Sequence, residues 1–197
     1  MSTDFELLGR TLSDEEIDRL MSYWNDELPV AESCARYYNL FHVYKKGLYQ
    51  DKLDNELSFV KKLKNFVPEG SKTYTHYLLL YTPGSWCKEH SDDPEKVGNT
   101  LVTLLYESDD LEGGDTFFKT SYTSPPRQQH EIKTFEEGTD FPEVMDRVVP
   151  RIARLKPGET VKYAHNVLHG VTRVERGSRM VLVSWYVNGE ENETHNN

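Results

Sequence analysis

His90 and Asp92 stand two residues apart in YTPGSWCKEHSDDPEK, between the apolar runs THYLLLY and NTLVTLLY. In an extended chain that separation puts both side chains on one face, where a divalent cation can take both at once. A plainer reading is a turn. Asp93 is a good N-cap and Pro94 suits a first helical position, so SDDPEK also reads as a helix start. The pair acquires meaning only if the chain supplies further ligands.

The candidate partner lies downstream, in YAHNVLHGVTRVERGSRMVLVSWYV. His169 opens one extended run, Arg176 to Ser178 reads as a hairpin turn around Gly177, and Arg179 opens the returning strand. Alternation places Arg179, Val181, Val183 and Trp185 on one face. An arginine among valines and a tryptophan is costly to bury unless it meets an anion. That anion is either a carboxylate of this chain, in a structural ion pair, or a bound carboxylate gripped by two hydrogen bonds. His165, four residues before His169, could share a zinc with it on a helix. The flanks ETVKYA and GVTRV read as strand, so His165 is expected at the surface or behind a ligand.

Two histidines and one carboxylate around an open-faced metal are the ligand set of non-haem Fe(II) oxygenases. An inward arginine beside such a set points to a cosubstrate with a distal carboxylate, and so to 2-oxoglutarate.

The elements that must hold these groups divide at about residue 70. Thr11 to Trp24 predicts an amphipathic helix, with a Ser13/Glu16 capping box and Ile17, Leu20, Met21 and Trp24 at helical spacing. Leu53 to Val67 predicts a second, with Leu57, Val60, Leu63 and Val67 on one face and Pro68 to Gly70 ending it. From residue 73, short runs (TYTHYLLLY, TLVTLLYE, DTFFK, ETVKYA, GVTRVE, RMVLVSWYV) alternate with Gly, Pro, Asp and Ser, as in a sandwich, jelly roll or barrel. Residues 119–155 are long and polar, with room for a short helix at PEVMDRVV, and read as an insertion or lid. Tyr122, Phe135 and Phe141 are placed to cover a bound substrate. The tail 189–197 reads as disordered.

With 197 residues, 37% of them hydrophobic, the chain suits a single domain, here drawn as 1–188. A net charge of −10 and the lack of a basic run beyond KKLK argue against nucleic acid as partner. Two distant cysteines, Cys34 and Cys87, fit a reducing compartment. The N-terminus has neither a basic nor an apolar signal region, and no run has membrane-spanning length. The expectation is a cytoplasmic protein without a membrane partner.

The motifs in their order resemble the 2-oxoglutarate- and Fe(II)-dependent dioxygenases, in their prolyl 4-hydroxylase-like branch. YTPGSWCKEHSDD resembles the approach to the family's His-x-Asp, and TLVTLLYESDDLEGGDTFF the strand and Gly-Gly-acid-Thr segment that follow. LKPGETVKY resembles the Pro-x-x-Gly stretch before the distal histidine. HGVTRVERGSRMVLVSWY resembles the distal histidine, the ten-residue step to a basic residue and the closing tryptophan. The likeness spans about Thr73 to Val187.

What the resemblance implies is specific. The fold would be mainly β with flanking helices (α+β), a double-stranded β-helix or cupin-like jelly roll at 73–187 with helical support at 1–70. His90, Asp92 and His169 would bind Fe(II), and Arg179 the far carboxylate of 2-oxoglutarate. Tyr81 and Thr103 would line the cosubstrate pocket. The chain departs from the pattern at Cys87, where some relatives carry a cosubstrate-contacting tyrosine. The reaction would consume O2, with ascorbate as supporting reductant, and hydroxylate an unactivated C–H, a peptidyl proline first. The alternatives are another residue, a small molecule, or a jelly-roll module that binds metal without turnover. A peptide or protein is the expected partner; oligomeric state is left open.

Overall fold

Alternating Val, Leu, Tyr and Thr residues do become strands, and amphipathic helical segments become their cover. The computed structural model describes residues 5–26, 32–33, 39–121 and 148–189. In chain order it contains β1 (Phe5–Arg10), α1 (Asp14–Asp26), β2 (Glu32–Ser33), β3 (Leu40–Phe41), β4 (Tyr44–Gly47) and α2 (Gln50–Asp54). A 3₁₀ helix (Ser58–Phe66), β5 (Lys72–Tyr81), β6 (Trp86–His90), β7 (Asn99–Glu107), β8 (Glu112–Gly113) and β9 (Thr116–Ser121) follow. The chain closes with β10 (Val148–Ala153), β11 (Glu159–Ala164), β12 (Leu168–Val171), β13 (Val174–Arg176) and β14 (Arg179–Val187).

Among the described residues, antiparallel pairing builds a seven-stranded sheet in the order β1-β11-β7-β14-β5-β4-β2. A five-stranded sheet runs β10-β9-β12-β6-β3, and β13-β8 form a small ribbon. Two buried clusters lie on either side of the large sheet. One, with Leu79, Tyr81, Val102, Phe118, Val171 and Val181, fills the space between the sheets. The other joins Leu78, Leu101, Leu105 and Leu182 to Ile17, Leu20, Val60 and Leu63 of the helices. The fold is therefore mainly β, a jelly roll of the double-stranded β-helix kind with helices packed on the outside of one sheet, as expected.

The capping box forms as the sequence requires: the Ser13 N–H donates to Glu16 Oε2 at 2.8 Å, and the Glu16 N–H to Ser13 Oγ at 3.3 Å. At the other end Lys46, buried on β4, donates to the carbonyls of Tyr23 and Trp24 and so ties α1 to the large sheet. Leu57, Val60 and Leu63 are all buried, but at the start of and along a 3₁₀ helix and not on the α-helix expected over 53–67. Their spacing of three matches the three residues per turn of that helix.

Three further differences concern the strands. The first 70 residues are more than helical support, since β1 pairs with β11 and β4 with β5. No hairpin joins the strands around Gly177. Val174 pairs with Gly113, whereas Arg179 pairs with Tyr81 and Glu107, so the turn carries the chain from the small ribbon to the large sheet. Gly177 is needed there, with φ of 73° and a Cβ position only 2.3 Å from Ser108 Oγ. Finally, the ends of the 119–155 stretch are strands: β9 and β10 pair from Ser121/Val148 to Thr116/Ala153. The lid reading at 122–147, with Tyr122, Phe135 and Phe141, and the tail reading from 190 lie outside the described residues. No described helix is long and apolar enough to cross a membrane.

Candidate metal centre

β6 and β12 are neighbours in the five-stranded sheet, and their register sets His90 directly opposite His169. Both rings point between the sheets, with centroids 4.4 Å apart. Asp92 follows β6 by two residues. Its N–H donates to the carbonyl of His165 at 2.9 Å, which turns the carboxylate inward beside the two rings. The adjacent Asp93 accepts the Glu95 N–H at 3.0 Å and caps a single turn. The turn reading of SDDPEK is thus met at Asp93, with no helix following, while Asp92 beside it faces the two imidazoles.

The hydrogen bonds leave three ligand atoms facing one point. His90 Nδ1 lies 2.8 Å from the carbonyl of Lys88, and His169 Nδ1 lies 2.9 Å from that of Val167. A carbonyl only accepts, so each Nδ1 carries the proton and each Nε2 keeps its lone pair. Those Nε2 atoms lie 3.7 and 3.9 Å from Asp92 Oδ1. Asp92 Oδ2 is occupied, accepting from Thr100 Oγ1 at 2.6 Å. Among the described residues this is the one group of His, Cys, Asp or Glu side chains whose ligand atoms gather so closely, all within 4.8 Å. Burial, and the charge His90 would carry, push the His169 pKa down to about 4, so it is a neutral ligand at neutral pH. The donor set fits a borderline divalent cation with an open face.

The same cavity, about 210 Å³, extends to Arg179. Arg179, Val181, Val183 and Trp185 all line it, as alternation requires. Arg179 is 6% exposed; its guanidinium donates to the carbonyl of Gly114 and, at 3.1 Å, to Thr116 Oγ1. Its buried Nε–H donates to nothing among the described residues. Burial lowers its pKa, while Tyr81, Asp115 and Glu107 favour its charge. Arg179 and Tyr81 are paired across β14 and β5, with the guanidinium 5.8 Å from the ring centre. An arginine so placed, with hydrogen-bonding capacity left over, can receive a carboxylate.

Of the residues expected at the site, His90, Asp92, His169, Arg179 and Tyr81 come together around this cavity. Thr103 does not. It lies on the other face of β7 from Val102, where its hydroxyl meets that of Thr160 at 2.6 Å in a buried chain that ends at Thr11. His165 sits in a turn, with its backbone and not its imidazole serving the site, so no helical zinc pair exists. Cys87 lines the cavity 3.8 Å from His90 Nδ1, and burial raises its pKa so that it stays a thiol. Tyrosines come instead from other strands: Tyr163 on β11 packs 4.4 Å from the His169 ring, and Tyr77 lies four residues before Tyr81 on β5. Sequence reasoning also missed Thr100 and Thr116; Thr116 falls on the inward face of a strand already assigned, whereas nothing in the doubly apolar β7 run marks Thr100.

The sequence matches no protein-family model and no curated protein. The fold does match solved structures. A Pseudomonas putida prolyl-4-hydroxylase superposes with a TM-score of 0.63 at 16% identity, covering 95% of this chain and 94% of that one. The non-haem alpha-ketoglutarate-dependent epimerase SnoN from nogalamycin biosynthesis gives 0.64 at 12%, covering 94% and 78%. HygX from Streptomyces hygroscopicus, solved with nickel and 2-oxoglutarate, gives 0.63 at 12%, covering 94% and 83%. At these identities the likeness establishes the fold that 2-oxoglutarate- and Fe(II)-dependent oxygenases share.

Proposed function

We propose that this protein is a 2-oxoglutarate- and Fe(II)-dependent oxygenase that hydroxylates an unactivated C–H bond, with a prolyl group as its substrate. The observation that carries the reaction class is the convergence of His90 Nε2, His169 Nε2 and Asp92 Oδ1 in one cavity with Arg179. The prolyl substrate is supported by the order of the sequence motifs and by the prolyl hydroxylases among the structural neighbours.

The residues present fit the metal. His90, Asp92 and His169 would hold Fe(II), with Lys88, Val167 and Thr100 fixing which atom each ligand offers. When bound, the iron supplies the activation of O2 that couples oxidative decarboxylation of 2-oxoglutarate to hydroxylation of the substrate. The chain's own part is binding, orientation and exclusion of water. Arg179 neutralises the distal carboxylate of 2-oxoglutarate, and its fork is held by Gly114 and Thr116 before any ligand arrives. Gly114 allows this close approach, because a Cβ there would lie 3.2 Å from Arg179 Cδ at a φ of 72°. Leu79, Val102, Val181 and Val183 form a wall that keeps water from the reacting groups.

The test is turnover. Protein reconstituted with Fe(II) should convert 2-oxoglutarate to succinate, and a panel of proline-containing peptides should include one that gains a single oxygen atom while raising that rate. Absence of succinate from a protein that binds Fe(II) would overturn the catalytic reading and leave a metal-binding module. Succinate formation with oxygen inserted only into other residues or small molecules would remove the prolyl assignment.

A further inference from the structure

Thr100 sets the level of the metal centre in the large sheet. It holds Asp92, and it pairs with Trp185 across β7 and β14, so Trp185 stands on the cavity wall at that level. The next ring outward is that of Tyr74. Strict alternation along β5 would send Tyr74 the way of His76, toward the helices. The register prevents this. Trp185 pairs with Thr75 and Tyr186 with Thr73, so Tyr74 is the extra residue of a β-bulge, a device that re-aims a side chain. Its ring turns to the inward side and stacks on Trp185, with centroids 6.2 Å and planes 26° apart. Trp185 in turn meets Tyr77 edge-on at 5.3 Å. The three rings run from the cavity to the surface: Tyr77 is 6% exposed, Trp185 half-buried and Tyr74 50% exposed. Lys96, a cation close to Tyr74, is already paired with Asp93 at 2.8 Å, so the rim offers a ring face more than a charge.

We infer that Tyr74 forms an outer subsite for the primary substrate, and that this substrate is an extended peptide with an apolar ring two residues from the residue that reacts. The inference deepens the oxygenase reading and rests on it. Side chains two apart in an extended chain project on one side, about 6.6 Å from each other. That spacing matches the step from Trp185 to Tyr74. A residue lodged beside Trp185 and the metal therefore lays its second neighbour over Tyr74, while the residue between them points away. A free amino acid held beside Trp185 has no second side chain to place there. A ring on Tyr74 gains both buried area and the preferred geometry of an aromatic pair.

The probes are acetylated pentapeptide amides with proline at the centre and alanine elsewhere, except for one phenylalanine or glycine. Calorimetric titration into protein loaded with Mn(II) and 2-oxoglutarate should show phenylalanine at one terminal position, the first or the fifth, binding about three- to tenfold tighter than glycine there. Phenylalanine at the second or fourth position should give no such gain. Tyr74→Thr, which keeps a strand-forming residue, should abolish the gain, and Tyr74→Phe should keep it. A gain that survives Tyr74→Thr, an equal gain at the second or fourth position, no gain at either end, or binding of no peptide would overturn the subsite. Alanine at the centre separates the subsite from the prolyl assignment: an unchanged terminal preference with no advantage for central proline keeps the first and removes the second. Failure of 2-oxoglutarate to bind would remove the oxygenase reading, and the same peptide comparison on protein loaded with Mn(II) alone would then decide the subsite.

Discussion

At the scale of single residues, the centre depends on which atom each ligand leaves open. Thr100 occupies one oxygen of Asp92 and so presents the other to a metal. Thr100→Val should therefore weaken Fe(II) binding by about 10–100-fold, the usual cost of losing a group behind a ligand, with little change in melting temperature. Equal affinity in an isothermal titration would show that Asp92 needs no such support. Arg179→Ala should raise the 2-oxoglutarate requirement by about 2–5 kcal/mol of lost binding, since its fork is buried and already aligned. Arg179→Lys should recover part, because charge survives and bidentate geometry does not. An unchanged requirement in the alanine variant would move the anchor elsewhere. That His90 and Asp92 share a side was legible from their spacing, and the inward face of Arg179 from the alternation of its strand, whereas the ten-residue step from His169 to Arg179 drew its meaning from the family resemblance. Thr103 was misplaced for a physical reason: TLVTLLYE is apolar on both faces, since β7 is covered by the second sheet on one side and the helices on the other. Parity gives no sign of which face is which in such a strand.

Elements with a plain apolar run or stripe were read correctly, and those with an unusual period or partner were not. α1 has a capping box and an apolar stripe, and both form. β11 and β14 appear with the bounds their runs indicate. β1 was invisible because FELLGR is an edge strand with a register shift between Leu7 and Gly9, and its pairing partner lies about 150 residues away. β6 was hidden by its polar composition, WCKEH, although it carries a ligand. The 3₁₀ segment was taken for an α-helix because spacings of three occur in both. It is a strong test of the packing assigned to the outer layer. Leu63 is fully buried there against the large sheet, so Leu63→Ala should cost about 2–5 kcal/mol in urea unfolding. Phe66→Ala, at a half-open position on the same segment, should cost much less. Equal losses would mean that the segment packs by another face.

For the molecule as a whole, the layered arrangement buries ionisable groups that must stay neutral. His76 lies between β5 and the helices, with Nδ1 2.7 Å from Ser184 Oγ and the ring edge-on to Tyr186. Burial pulls its pKa down to about 4. In the unfolded chain the same imidazole takes a proton near pH 6.5. Between these values the unfolded state binds more protons, so stability present at neutral pH is lost as pH falls toward 4. The loss from this group can reach about 3 kcal/mol. Urea midpoints at pH 7 and 4.5 should therefore lie closer together in His76→Gln than in the unmodified protein. An identical spread in both would show that His76 does not contribute.

The proposed function stands or falls on whether His90, Asp92 and His169 bind a metal together. The direct measurement is anaerobic equilibrium binding of Fe(II) to the unmodified protein, to Asp92→Ala and to His165→Ala, with circular dichroism to confirm that each remains folded. The account predicts one Fe(II) per chain for the unmodified protein and for His165→Ala, and loss of that site in Asp92→Ala with the fold intact. Retention of the full iron stoichiometry and affinity by a folded Asp92→Ala, or its loss only in His165→Ala, would contradict it.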